Sequence, residues 1–211
     1  MFSLQKLLGR EDRFFTLLVQ AAEEAHHSAV ELRKMIWQPG GEHGPRAVAL
    51  ARGKEKEVHE AISELLCKTF IIPFDREDIE AVSMALHRVP KTLGKFTDRL
   101  ALLPEPLAGM DFSSQTDLIE QSTAIVLEMV RLLPNPHSLE RMRALYGQLQ
   151  ALENQADREI LLLQHKLHRE ASSLEVMNIL MLNDLHKLLE RTMDRCRDAG
   201  KAVFQVVLKH T

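Results

Sequence analysis

Four carboxylates stand in two matched pairs, Glu153 with Asp157 and Glu190 with Asp194, each pair spaced by four residues. On a helix that spacing puts both side chains on one face, roughly 6 Å apart along the axis. Two such helices side by side can converge their carboxylates on a hard or borderline cation such as iron, manganese, magnesium or zinc, whose charge relieves their mutual repulsion. The same spacing also describes a solvated helix face on which Arg191, Arg195 and Arg197 balance the acids. Spacing leaves both readings open.

Other groupings are weaker. Glu23, Glu24, His26 and His27 contain overlapping Glu-x-x-His spacings, half of a di-iron carboxylate set, but no second helix supplies the other half, so an exposed helix face is expected. His165 and His168 sit near a helix C-terminus, where cationic side chains suit the dipole. A Gly-rich nucleotide loop is absent, as is a motif around a Ser or Cys nucleophile. Catalysis has no positive support, and the chain reads as a non-enzyme.

The elements that must position these groups are helices. Pro and Gly cluster at Pro39 to Pro45, Pro73, Pro104 to Gly109 and Pro134 to Pro136, and no segment alternates like a strand. Six helices are expected, near Glu11 to Trp37, Pro45 to Phe70, Arg76 to Leu103, Ser114 to Leu133, Ser138 to Arg169 and Leu174 to Lys209. The third carries an apolar seam, Ile79, Val82, Leu86, Val89, Leu93, Phe96, Leu100 and Leu103. At an offset of 103 the sixth carries Leu182, Leu185, Leu189, Thr192, Cys196, Ala199, Val203 and Val206 in the same register. Val58, Ile62, Leu65 and Thr69 of the second helix match Ala156, Ile160, Leu163 and Leu167 of the fifth at an offset of 98.

The expected fold is all-α: one domain over residues 1–211, made of two repeated three-helix bundles, about 11–103 and 113–209, related by a pseudo-twofold. In the first copy the places of the paired acids hold Glu55, His59, His87 and Lys91. Glu55, His59 and His87 make a degenerate, zinc-like candidate set. Lys91 and Arg88 put positive charge beside it, and Pro90 is expected to kink the third helix.

The bulk properties exclude several classes. The formal net charge of −3 gives no general attraction to nucleic acid. No charge-free apolar run is long enough to span a bilayer. Cys67 and Cys196 both fall within helical patterns and read as small buried hydrophobes in a reducing cytoplasm.

The stretch Phe70-Ile71-Ile72-Pro73-Phe74-Asp75-Arg76-Glu77-Asp78-Ile79 closely resembles the hallmark of PhoU-related proteins called phosphate transport regulators or Pit accessory proteins. Here Pro73 ends a helix, and Asp75 is placed to accept amide bonds from the next turn. Arg13-Phe14-Phe15-Thr16-Leu17-Leu18 is similar to that family's start and Leu189-Glu190-Arg191-Thr192-Met193-Asp194-Arg195-Cys196 to its end. The resemblance implies a PhoU-like fold with surface metal clusters held by Glu-x-x-x-Asp pairs. Glu153, Asp157, Glu190 and Asp194 match that pattern in the second repeat, with Arg197 one turn beyond as a departure. It further implies a cytoplasmic accessory or regulator of inorganic phosphate transport that docks to a Pit-type permease or a sensor, peripheral to the membrane through a protein partner, and able to form homo-oligomers. A metal-dependent enzyme or metal-storage bundle built on the fifth and sixth helices is the alternative.

Overall fold

The computed structural model describes residues 4–38, 44–70, 74–104, 110–135, 137–169 and 175–210, and leaves the side chains of residues 4–12 and 168 undescribed. Among the described residues there are six helices and no strand: α1 Leu4–Trp37, α2 Pro45–Lys68, α3 Arg76–Leu100, α4 Ser113–Arg131, α5 Leu139–Arg169 and α6 Val176–Lys209. The element order is as expected, and the differences lie at the ends. α1 begins a turn and a half or more before Glu11. α2 and α3 stop short of Phe70 and Leu103. Residues 71–73, the centre of the junction stretch, and Leu174 lie outside the described residues.

Each half is a set of three mutually packed helices. α1 contacts α2 and α3, which contact each other, and α4, α5 and α6 do the same. The halves then meet through α1 against α4 and α3 against α6, so corresponding helices pair across the centre. The α3 and α6 seams form the middle of the core. Every seam residue of α6, and all those of α3 up to Phe96, are buried. Leu100 and Leu103 are partly buried at the seam's edge. Ile62 faces inward on α2, as Ala156, Ile160 and Leu167 do on α5.

Two small residues allow close approach. A Cβ at Gly200 would lie 2.3 Å from Leu149 Cδ2, so glycine lets α5 rest against α6. A Cβ at Gly94 would lie 2.9 Å from Arg52 Nη1, so Arg52 of α2 crosses α3 at that point. α3 runs through Pro90 as one continuous helix, with the proline buried.

Two local expectations change. Asp75 is the N-cap of α3, but its backbone carbonyl takes the amides of Asp78 (3.0 Å) and Ile79 (3.2 Å), and its carboxylate makes no capping bond. The carboxylate instead shares a cluster with Asp78 and His210. Cys196 is buried, and burial pushes its thiol up to about 12. Cys67, read as buried, is exposed, because the inward stripe of α2 runs through Ile62 and Leu66 and leaves position 67 about 100° around the helix.

Candidate functional site

α5 and α6 pack side by side and bring their acids to neighbouring faces, Glu153, Glu190 and Asp194 half-buried and Asp157 exposed. The cation present there is the Arg197 guanidinium. Its Nη1 donates to Glu153 Oε1 across the helix pair. Its Nη2 lies 3.2 Å from Asp194 Oδ1 and 3.5 Å from Asp198 Oδ1. Desolvation pulls the arginine's pKa down, but the carboxylates outweigh it and the net shift is upward, so the guanidinium keeps its charge. Two of the four predicted ligands are therefore engaged by a fixed positive charge. No three of the four bring ligand atoms within 4.8 Å of one another among the described residues. In this arrangement the set does not fit a metal ion, because the guanidinium stands where the ion's charge would act.

The first copy does bring its three candidates together. Glu55 is fully buried on α2, and its Oε2 lies 2.8 Å from His87 Nδ1 on α3. The His87 ring stacks on His59, with centroids 4.6 Å apart and planes 15° apart. His59 Nδ1 in turn lies 2.8 Å from Ser83 Oγ. Stacked imidazoles aim their in-plane lone pairs side by side rather than at one point, so the contact that joins the histidines keeps them from sharing an ion. Burial pushes the Glu55 carboxyl up to about 8, and Glu55 Oε1 is a buried acceptor without a hydrogen-bond partner. Desolvation lowers His87 and His59, and His59, Lys91 and Arg52 lower His87 further. At neutral pH the pair is a protonated carboxyl beside a neutral imidazole.

The two copies answer the same question from opposite helices. The first-copy counterpart of Arg197 is Gly94, and Arg52 from α2 crosses at that glycine. Each polar face thus carries an internal guanidinium, supplied by α6 in one copy and by α2 in the other.

The remaining candidates serve the helix contacts. Glu23 pairs with Arg131 at 2.7 Å, and His26 Nδ1 lies 3.0 Å from Thr123 Oγ1, both joining α1 to α4. Glu24 and His27 pair within α1 at 3.5 Å. His165 is exposed, and the His168 side chain lies outside the described residues.

One cluster was not legible in the sequence. Asp75, Asp78 and His210 bring ligand atoms within 4.8 Å of one another, joining the α3 N-terminus to the end of α6. Lys209 Nζ sits 2.5 Å from Asp78 Oδ1 and holds the position of a cation. The positive end of α3 further disfavours a metal there. Phe74 packs against His210 at 4.7 Å with the rings tilted by 36°, and meets Phe15 of α1 edge-on at 5.4 Å. The described end of the junction, Phe74 to Asp78, is a clasp that ties the start of α3 to Phe15 of α1 and to the end of α6. Its acidic half shows in the sequence; His210 is too distant along the chain to be associated with it.

Among the described residues no helix is long and apolar enough to cross a membrane. No family model matches the chain. A protein of Rhizobium meliloti (strain 1021) named as a Pit accessory protein is 24% identical over 217 residues, which cover 98% of this chain and 97% of that protein. Two solved structures from Shewanella oneidensis MR-1 superpose on this chain, a PhoU-like protein with a TM-score of 0.78 and a PhoU-like phosphate regulatory protein with a TM-score of 0.74. Each is 12% identical, and each match covers 93% of this chain and 99% of the other. The chain has the PhoU-like fold, and the resemblance to Pit accessory proteins carried by its α2–α3 junction extends along nearly its whole length.

Proposed function

We propose that this chain is a non-enzymatic accessory protein of inorganic phosphate transport, acting at the cytoplasmic face of the membrane by docking to a Pit-type permease or to a sensor. The observation that carries this reading is the end-to-end similarity to a protein named as a Pit accessory protein, on a PhoU-like fold. The polar faces support it, because their polar groups are engaged with one another. Arg197 closes on Glu153 and Asp194, and Glu55 closes on His87. Such faces supply a rigid, patterned surface rather than a nucleophile or a base free to act. Deletion of the gene is expected to alter phosphate uptake through the permease, and pull-down of the tagged chain from solubilised membranes should recover it. Unchanged uptake together with no transporter or sensor in the pull-down overturns the proposal.

Metal binding by Glu153, Asp157, Glu190 and Asp194 is a separate proposal, and it requires Arg197 to leave the pair. Elemental analysis of protein purified without added metal tests it: stoichiometric metal that disappears in Glu190→Ala supports a metal-holding bundle.

A further inference from the structure

The groove between α3 and α6 opens at one point into a cavity of about 280 Å³. That is several times the ~30 Å³ a water molecule takes in the liquid, and below the ~300–1,000 Å³ usual for organic ligands. The size suits a small ion with some of its waters. Lys95, Asp98 and Arg99 line the cavity from α3, and Asp184, Leu188 and Arg191 line it from α6. Within each trio the residues are three or four positions apart, so each trio occupies one face of its helix. Leu188 is buried and supplies the apolar part of the lining.

Three cations against two acids give the cavity a positive balance in a chain whose net charge is −3. One pairing is made among them, from Arg99 Nη1 to Asp184 Oδ2 across the two helices. It uses one of the five N–H groups of the guanidinium, so Arg99 is held in place with donors to spare. Lys95, Asp98 and Arg191 make no ion pair and no side-chain hydrogen bond among the described residues. Asp98 stands one turn after Lys95, yet the two do not pair. Two free cations and one free carboxylate thus share a cavity with a pinned arginine.

We infer that this cavity binds inorganic phosphate. Lys95, Arg191 and the spare N–H groups of Arg99 meet its oxygens through charge-assisted hydrogen bonds. Asp98 selects the ion. Hydrogen phosphate keeps an O–H that a carboxylate can accept, whereas sulfate and the dianion of a phosphate monoester have no such proton and set a lone pair against Asp98. The inference rests on the proposed role in phosphate transport and gives that role a direct contact with the transported ion.

The duplication supplies a control groove. At the offset of 103, Arg191 has Arg88 as its counterpart, while Asp184 and Leu188 have Ala81 and Ala85. Lys95, Asp98 and Arg99 correspond to Asp198, Lys201 and Ala202. The twin groove therefore lacks the pinned arginine and its partner, and its one acid, Asp198, is already engaged by Arg195 at 3.2 Å and Arg197 at 3.5 Å.

Titration calorimetry of the full chain in a chloride buffer tests this. Inorganic phosphate should bind at about one equivalent with a Kd below ~10 mM, and ~tenfold or more tighter than sulfate or glycerol 3-phosphate. Lys95→Gln with Arg191→Gln, both at exposed positions, should abolish binding with the helical circular dichroism unchanged. Arg88→Gln with Lys201→Gln, in the twin groove, should leave it intact. Asp98→Asn, whose amide donates as well as accepts, should bring sulfate and phosphate within ~threefold of each other. No saturable binding of phosphate, no preference for it over sulfate and the monoester, or equal loss in the twin-groove variant overturns the inference. Binding is read on the purified chain and uptake in cells, so a chain that binds no phosphate leaves the accessory role standing, and unchanged uptake on deletion leaves the site standing.

Discussion

Arg197 decides what the acidic face of the second copy is. Its guanidinium engages Glu153 and Asp194 from a half-buried position, which removes the repulsion a metal ion would otherwise relieve. Arg197→Ala should unmask it. The wild type is expected to show no change in melting temperature with added zinc or manganese, and the variant to rise by ~2–4 °C at saturating metal. A wild type that melts higher with metal and lower with chelator would show that the arginine moves aside. Glu55 supports a second prediction. Its folded pKa of about 8 exceeds the ordinary 4.5, so between those values the folded chain holds a proton that the unfolded chain has lost, and stability falls as pH rises through that window. The lowered histidines act in the opposite sense, but below about 6.5. From pH 7 to 8 Glu55 is the largest contributor, with a loss on the order of 1 kcal/mol. Urea unfolding at the two pH values should show this loss in the wild type and not in Glu55→Gln. Arg197 stood out in the sequence as a departure beside the acids, but its reach to Glu153, 44 positions away, did not. The burial of Glu55 was equally hidden, since a lone acid on a polar helix face carries no mark of the helix that will cover it.

At the scale of elements, the seam was legible and the ends were not. The 3,4 spacing shared by α3 and α6 named the residues that bury, because a repeat of 3.5 holds only if one stripe faces a partner along the whole helix. Cys67 was misplaced because membership of a helix does not fix its face; position 67 follows Leu66, which takes the inward place. Helix ends depend on what caps them, and the α3 cap is a backbone carbonyl while the Asp75 carboxylate is drawn to the end of α6. Gly200 is a requirement of helix approach that no turn signal announces. Since Leu149 Cδ2 occupies the place of its Cβ, Gly200→Ala must push α5 off α6 or force Leu149 from its rotamer. The higher helix propensity of alanine gains ~1 kcal/mol and overpacking costs ~1–3 kcal/mol, so a net loss is expected. Thermal melting checks it, and Gly200→Ala combined with Leu149→Ala, which vacates the space, should recover part of the loss from the clash while carrying the cost of its own cavity. Gly147, where an added methyl group would meet nothing within 4 Å, is the matched control at which alanine should be harmless.

For the whole molecule, the question is whether two repeated halves behave as one folding unit. The central contacts, α3 on α6 and α1 on α4, are made between halves, so neither half closes its own core. Phe96 of the first half meets Phe112 at 5.5 Å, and Phe112 meets His186 of α6 at 6.0 Å, a chain of rings that crosses the middle. Polar groups cross as well: Arg33 lies 2.5 Å from Asp117 and 3.1 Å from Glu120, and Trp37 Nε1 donates to Asp117 at 3.1 Å. With so much of the buried surface shared, separating the halves exposes the seam of both, and the intermediate with one half folded has no core to hold it. The chain carries one tryptophan, Trp37 on α1, and one tyrosine, Tyr146 stacked at 5.1 Å on Phe204 between α5 and α6. Tryptophan fluorescence therefore follows α1 and its contact with α4, near-ultraviolet tyrosine dichroism follows the α5–α6 pair, and far-ultraviolet dichroism follows the helices together. All three should give one coincident urea transition. Two transitions, with tyrosine and tryptophan signals parting by more than the error of their midpoints, would mean that each three-helix set folds alone and that the pseudo-twofold joins two domains rather than one.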